Sequence, residues 1–183
     1  MISPHLSKNS SRVHLRNLLE QKKPYQDQVI QDQLCQHLLQ FMTLQNGYWA
    51  GFQPLHEEPH WTSIQTALPK IKWAYPRMNH ESLEFVVDPQ AFVPGPFGVS
   101  EPVGGSRIEL NQIQGCLIPG LGFSKSGQRL GRGKGYYDRA LSDFSGQRVG
   151  LCFSIQFLET DLPCEAHDVN VDHVVTELGV FDV

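Results

Sequence analysis

Alternating helix- and strand-patterned segments predict an α/β fold, a layered sandwich with a central mostly parallel or mixed sheet flanked by helices. Three observations carry that expectation. Two N-terminal segments have apolar residues at helical spacing. Short apolar runs of strand length follow, bounded by Gly and Pro. A run at 115–119 then leads through a glycine-rich stretch into another helical pattern.

Taken in order, Ser10–Gln21 reads as a short helix with Ser10 or Ser11 as N-cap and Val13, Leu15, Leu18 and Leu19 as its apolar set. Gln26–Gln45 reads as a stronger helix, with Ile30, Leu34, Leu38 and Phe41 in register and Asn46-Gly47 as its stop. Gly47–Phe52 reads as a strand, and His60–Leu68 as a helix entered from Pro59. Ile71–Tyr75 and Leu83–Val87 read as strands. Residues 88–106, with four prolines, read as an irregular loop and not as a domain boundary. Gly115–Pro119 is expected to be a strand and Lys134–Asp143 a helix that buries Tyr137, Leu141 and Phe144. Arg148–Phe153 and His173–Thr176 close the set as strands.

The chain has 183 residues, 40% hydrophobic and 19% charged, which suits one globular domain spanning 1–183 with a real core. A net charge of −4 argues against a nucleic-acid partner, so any anion site has to be local. Cys35, Cys116, Cys152 and Cys164 form no C-x-x-C pair and read as buried or incidental thiols of a reducing compartment. His56, His60, His80, His167 and His173 lack zinc-ligand spacing and read as surface or packing residues. The N-terminus has no apolar signal region, and no run is long enough to span a bilayer. A cytoplasmic protein with no membrane partner is expected, and nothing in the sequence asks for an obligate dimer, so a monomer is expected too.

The chemistry concentrates in 118–141, IPGLGFSKSGQRLGRGKGYYDRAL. Gly131, Gly133 and Gly135 alternate with Arg132 and Lys134, after Arg129 and Leu130 and before Tyr136, Tyr137 and Asp138. Glycines let backbone N–H groups approach a ligand closely. Arg and Lys supply the charge a polyphosphate needs, and Asp138 is a hard oxygen ligand suited to Mg²⁺. The segment therefore reads as a phosphate cradle with its own metal ligand. It is neither a Walker A loop, since Gly135 and not Ser or Thr follows Lys134, nor a G-x-G-x-x-G loop, since Tyr136 stands three after Gly133. A helix starting near Gly133 or Lys134 would aim its N–H groups at phosphate and place Lys134 and Asp138 on one face.

This segment resembles the signature of the 5-formyltetrahydrofolate cyclo-ligase family, also called methenyltetrahydrofolate synthetases. The pattern is Pro-Gly before Phe-Asp, then Gly-x-Arg-Leu-Gly-x-Gly-Lys-Gly-Tyr-Tyr-Asp; only the Asp after Phe123 differs, being Ser124. Weaker matches extend in order along the chain. Arg12 and Arg16 stand for Lys-x-x-x-Arg, Glu58 for a substrate-contacting Glu six residues after Phe52, and YPRM (75–78) for Leu-Pro-Arg. GVSEP (98–102) stands for Gly-Ile-x-Glu-Pro, and HDVNVD (167–172) for His-Asp-x-x-Val-Asp.

The resemblance implies ATP-dependent closure of 5-formyltetrahydrofolate to 5,10-methenyltetrahydrofolate, with ATP and Mg²⁺ as cofactors. Phosphorylating the formyl oxygen makes it a leaving group, and N10 then attacks the activated carbon. Arg129, Arg132 and Lys134 suit the charge neutralisation that this demands. The resemblance further implies Asp168 as second metal ligand beside Asp138, Arg12 and Arg16 at ATP, and Tyr136 against pterin or nucleotide. Glu58, with Gln53 nearby, would hydrogen-bond the pterin. Two other readings stand beside this one: a non-catalytic folate or nucleotide binder, motivated by Ser124 and Arg12, and a sugar-phosphate isomerase or acyl-CoA transferase on a related layered fold.

Overall fold

The structure is a computed structural model that describes residues 7–183. The first six residues of the expected leaderless N-terminus, and of the 1–183 domain, lie outside the described residues. Two helices come first, α1 (Lys8–Lys22) and α2 (Gln28–Met42). Strands β1 (Gly47–Ala50), β2 (Ile71–Asn79), β3 (Ser82–Val87), β4 (Ala91–Pro94), β5 (Ser100–Val103) and β6 (Ser106–Ile108) follow. Next come β7 (Ile113–Pro119), β8 (Gly122–Ser124), β9 (Arg129–Leu130) and the short α3 (Tyr136–Ala140). The chain ends with β10 (Gln147–Leu151), β11 (Phe157–Leu158), β12 (His173–Thr176) and β13 (Gly179–Asp182).

Eight strands form one mixed sheet in the order β13-β12-β10-β7-β1-β2-β3-β6. The five central strands are parallel neighbours, and antiparallel strands flank them on both sides. A sheet covered on both faces needs apolar residues at every central position, and successive side chains supply the two faces in turn. Trp49, Leu117 and Val175 join α1 and α2 in one core. Their neighbours Ala50, Cys116, Ile118 and Val174 join Leu141 and Phe144 in the other. The expected layered α/β sandwich is thus the observed one.

Several elements differ from expectation, each for a local reason. The N-cap of α1 is Ser7, whose hydroxyl accepts from Ser10 N–H at 3.2 Å. Asp27 caps α2 in the same manner, and the helix stops at Met42 because Gly47, at φ +79°, already opens β1. The strand expected to reach Phe52 ends at Ala50. The expected helix at 60–68 is a 3-10 helix over Thr62–Ala67, tightened by i→i+3 bonding. Residues 88–106 contain a β-hairpin, β4 paired with β5, that the prolines conceal; a two-stranded ribbon with open edges tolerates them. The helix expected over 134–143 is only Tyr136–Ala140. Gly133 (φ +103°) and Gly135 (φ +67°) hold left-handed turns that an α-helix cannot contain.

Strands β1, β2, β3 and β6 run to one side of the sheet and β7, β10, β12 and β13 to the other, so chain order reverses between β1 and β7. A crevice outside the carboxyl ends of parallel strands at such a switch is where open α/β sheets place ligands. The segments following β1 and β7 line a cavity there.

Candidate active site

The cavity measures about 550 Å³, within the range of about 300–1,000 Å³ typical of small-molecule sites. The first helix contributes Lys8, Arg12 and Arg16, one turn apart on one face. The segment after β1 contributes Phe52, Gln53, Leu55 and Glu58, and β2 contributes Pro76 and Met78. The glycine loop between β9 and α3 forms a wall from Arg129 and Leu130 through Gly131, Arg132, Gly133, Lys134 and Gly135 to Tyr136, Tyr137 and Asp138. Glu165, His167 and Asp168 close the rim, and the β4–β5 hairpin bends Phe97 and Glu101 over it. Every site residue named from the sequence therefore borders one cavity, although they are spread from Arg12 to Asp168.

Charge pairing divides the basic residues into two groups. Arg129 is 5% exposed and lies 2.6 Å from Asp138 Oδ1, with its Nη1 donating to Pro119 O at 3.3 Å. Arg132 donates through Nε (3.1 Å) and Nη2 (2.9 Å) to Glu58 Oε1, and its Nη1 lies 2.8 Å from Glu57 Oε1. Lys8 lies 2.6 Å from Asp168 Oδ2 and 2.9 Å from Glu165 Oε2. The other three have no carboxylate partner among the described residues. Arg12 donates to Gly131 O at 3.0 Å and to Asn9 Oδ1 at 2.8 Å. Lys134 sits 4.8 Å over the Phe97 ring. Arg16 is exposed on the cavity wall and makes no hydrogen bond or ion pair among the described residues. These three cations form an unneutralised patch beside the glycine loop, in a chain whose net charge is negative.

Lys134 precedes α3 and is not on it, so the expected shared helix face of Lys134 and Asp138 does not exist. Five residues make too short a helix to aim a dipole, and the expected start near Gly133 is replaced by the Gly135 cap. The adjacent Glu57 and Glu58 take different places. Glu58 is 6% exposed and faces the cavity, while Glu57 supports Arg132 from outside its wall. Burial pushes the Glu57 carboxyl up, but a backbone hydrogen bond and the Arg132 charge outweigh it and hold it below the ordinary range. Burial raises the Tyr137 hydroxyl well above its ordinary value, with Arg129 at 5.7 Å from its ring centroid pulling the other way. Burial likewise lifts Cys116 to about 12, so this thiol is no nucleophile at neutral pH.

The acidic residues suit a hard divalent cation. Oδ1 of Asp138 accepts from Arg129 and, at 3.3 Å, from Val169 N–H, which brings Asp138 beside the segment carrying Asp168. Oδ2 of Asp138 takes no hydrogen bond among the described residues, and Asp168 Oδ1 lies 3.9 Å from His167 Nε2. Ligand atoms of Glu165, His167 and Asp168 lie within 4.8 Å of one another. One oxygen of each aspartate is thus open to a cation. His167, expected as a surface or packing residue, is exposed as expected and lies within this group.

Lys8 and Asp168 also tie α1 to the C-terminal segment, with a defined pH window. Burial raises Asp168, but the Lys8 hydrogen bond and charge and the Glu165 N–H bring it below its ordinary 3.8. Burial lowers Lys8, and its two carboxylate partners bring it above 10.5. The depressed carboxyl stabilises the fold above its unfolded value and loses that contribution as pH falls through the folded one; the raised amine loses its contribution as pH rises through its folded value. Lys8→Met is expected to lower stability by about 1 kcal/mol at neutral pH, as a partly exposed pair does. That difference should disappear in acid below the folded Asp168 value. Urea melts at neutral pH and through an acid series check it, and a difference that never shrinks as the carboxylates protonate would refute the pairing.

Ser124, the departure from the resembled signature, is fully buried and not on the cavity wall. Its Oγ lies 2.8 Å from Ser126 Oγ and accepts from Gln128 N–H at 3.2 Å, closing the turn between β8 and β9. Asp closes such turns with the same acceptor geometry. Ser124→Asp is expected to change turnover by less than about threefold, or ~0.6 kcal/mol in barrier. Ser124→Ala should lower stability by about 1 kcal/mol for the lost turn bonds. Steady-state rates and thermal melts of the two variants check both.

Sequence reasoning overlooked Lys8, Phe97 and Glu101. Lys8 was accessible as the residue one helical turn before Arg12. Glu101 stood in the noted GVSEP string, where its Oε1 accepts from Met78 N–H at 3.4 Å. Phe97 had no sequence signal, because its place depends on the hairpin.

Comparison with known proteins accords with this geometry. The model of the 5-formyltetrahydrofolate cyclo-ligase family matches residues 5–177. A 5-formyltetrahydrofolate cyclo-ligase of Mycoplasma pneumoniae is 39% identical over 72 residues, 39% of this chain and 44% of the relative. One from Mus musculus is 42% identical over 67 residues, 33% and 32% of the two chains. A mitochondrial one from Arabidopsis thaliana is 37% identical over 133 residues, 62% and 48%. The chain thus spans about a third to a half of the length of these curated relatives. The solved Aquifex aeolicus 5,10-methenyltetrahydrofolate synthetase superposes with a TM-score of 0.76 at 27% identity, covering 93% of this chain and 92% of that one. The Mycoplasma pneumoniae synthetase, at 23% identity, shares the fold with a TM-score of 0.74, covering 94% and 99%. With its glycine loop at the switch point of a matching fold and a family match from residue 5 to 177, the chain belongs to the 5-formyltetrahydrofolate cyclo-ligase family.

Proposed function

We propose that this protein catalyses ATP-dependent cyclisation of 5-formyltetrahydrofolate to 5,10-methenyltetrahydrofolate, releasing ADP and phosphate. One observation carries the reading. Arg12, Arg16 and Lys134, three cations without carboxylate partners, border the same cavity as the glycine loop and the buried Glu58. A polyphosphate supplies the anions the first group lacks, and a pterin edge supplies N–H donors to Glu58.

In this reading Lys134 and Arg16 hold the terminal phosphates, and Arg12 fixes the loop through Gly131 O while adding charge. The formyl oxygen attacks the γ-phosphorus and ADP leaves. N10 then attacks the formyl carbon, phosphate departs with the former formyl oxygen, and N10 gives up its proton. Arg129 and Arg132 act as positioning residues, since carboxylates already occupy them. Tyr136 offers a ring for stacking on pterin or base, and Gln53 a further polar contact. Asp138 and Asp168 would hold Mg²⁺, which neutralises phosphate charge when bound.

The same reading takes 1–183 as one cyclo-ligase-like domain, monomeric and cytoplasmic, without nucleic-acid or membrane partners. No helix among the described residues is long and apolar enough to cross a membrane. The test is to mix the protein with 5-formyltetrahydrofolate and MgATP and follow near-ultraviolet absorbance, where the methenyl product has an extended chromophore. A rise that needs both ATP and Mg²⁺ supports the reading. Tight folate binding without any rise would replace it with a non-catalytic binder.

A further inference from the structure

Arg132 stands on the glycine loop, yet all three of its guanidinium nitrogens are committed to acids from the segment after β1. Nε and Nη2 both donate to Glu58 Oε1, and Nη1 pairs with Glu57 Oε1. Glu58 Oε2 accepts from Leu55 N–H at 3.0 Å. A carboxylate offers about two lone pairs per oxygen, so Oε1 is saturated and Oε2 has one acceptor direction left. The donor edge of a 4-oxopterin is a two-pronged fork, an amino group beside a ring N–H. Such a fork is best held with one acceptor on each carboxylate oxygen. Arg132 and a pterin therefore compete for Glu58 Oε1.

We infer that Arg132 is a shared arginine that couples pterin binding to phosphate binding. A pterin on Glu58 displaces the guanidinium, which stays tethered to the loop carrying Gly131, Gly133 and Lys134. With only Glu57 left, it is free to add a third donor group to a phosphate. The reverse holds by linkage: a phosphate that draws Arg132 away uncovers Glu58 for the pterin. Each substrate then makes the other bind more tightly, and the empty site keeps its charges neutralised internally. This rests on the folate and nucleotide reading above, and the test separates the two.

Isothermal titration calorimetry with 5-formyltetrahydrofolate and an imido-bridged, non-hydrolysable ATP analogue in Mg²⁺ reads the coupling without turnover. In the unmodified protein each ligand is expected to tighten the other by the same factor, on the order of tenfold. Glu57→Gln weakens the docked arginine, so the nucleotide analogue alone should bind severalfold more tightly and the coupling factor should shrink. Arg132→Gln should bring the factor to about one. A salt bridge that merely braced the fold would instead lower the melting temperature and leave the factor unchanged in both variants, which overturns the proposal. So would binding of both ligands to the unmodified protein with a factor near one, leaving the function reading intact. If neither ligand binds, alone or beside the other, the function reading falls and the coupling with it. Should Arg132→Gln not fold, Glu57→Gln decides through its coupling factor, because losing a nearby negative charge would by itself raise nucleotide affinity without shrinking that factor.

Discussion

Lys134→Ala is expected to lower kcat/KM for ATP by about 10²–10³-fold, the usual loss when one preorganised donor to developing charge is removed. The fold should be unaffected. The side chain is exposed, makes no hydrogen bond or ion pair among the described residues, and sits over the Phe97 ring. A cation–π contact at an exposed site contributes about 0.5–1 kcal/mol, so the melting temperature should move by a few degrees at most. Phe97→Leu serves as the control: it removes the ring while leaving the charge, and most turnover should survive. Steady-state rates against ATP and circular dichroism melts check the pair. Turnover like that of the unmodified protein in Lys134→Ala would end the phosphate-cradle assignment, whatever the family.

Arg129→Met is expected to act on stability instead. The guanidinium is buried against Asp138 at 2.6 Å and over the Tyr137 ring, and its Nε has no hydrogen-bond partner among the described residues. Deleting one member of a buried pair strands the other charge, at a cost of about 3–5 kcal/mol. For a chain of this size that corresponds to a fall of roughly 6–20 °C in melting temperature. Adding Asp138→Asn should recover part of the loss, because the stranded charge is gone; the double-mutant cycle measures how much. If Arg129 instead served mainly as a phosphate contact, the melt would stay put and the nucleotide KM would rise.

The two arginines show why the site was only partly legible. Composition and spacing marked Arg129, Arg132 and Lys134 as equals, since nothing within a few residues distinguishes them. In the fold they have three different partners: a carboxylate nine positions on, a pair of acids on another segment, and an aromatic ring on the hairpin. The same limit explains the misplaced helix. Gly133 and Gly135 were read as permissive residues near a helix start, whereas their positive φ ends any helical path before Tyr136. The β4–β5 hairpin was hidden because its prolines occupy open positions of a two-stranded ribbon, which sequence pattern alone does not reveal.

By itself the sequence determined the layered α/β class, the two N-terminal helices, the central strands and the glycine loop with its basic residues. These follow from periodicity and local backbone freedom, which depend on neighbours within about four residues. Only the tertiary structure decided which charges remain available to a ligand. Lys8 meets Glu165 across 157 positions, and Arg132 meets Glu58 across 74. Coulomb attraction depends on distance in space and on burial, and both are set by sheet order, not by order along the chain.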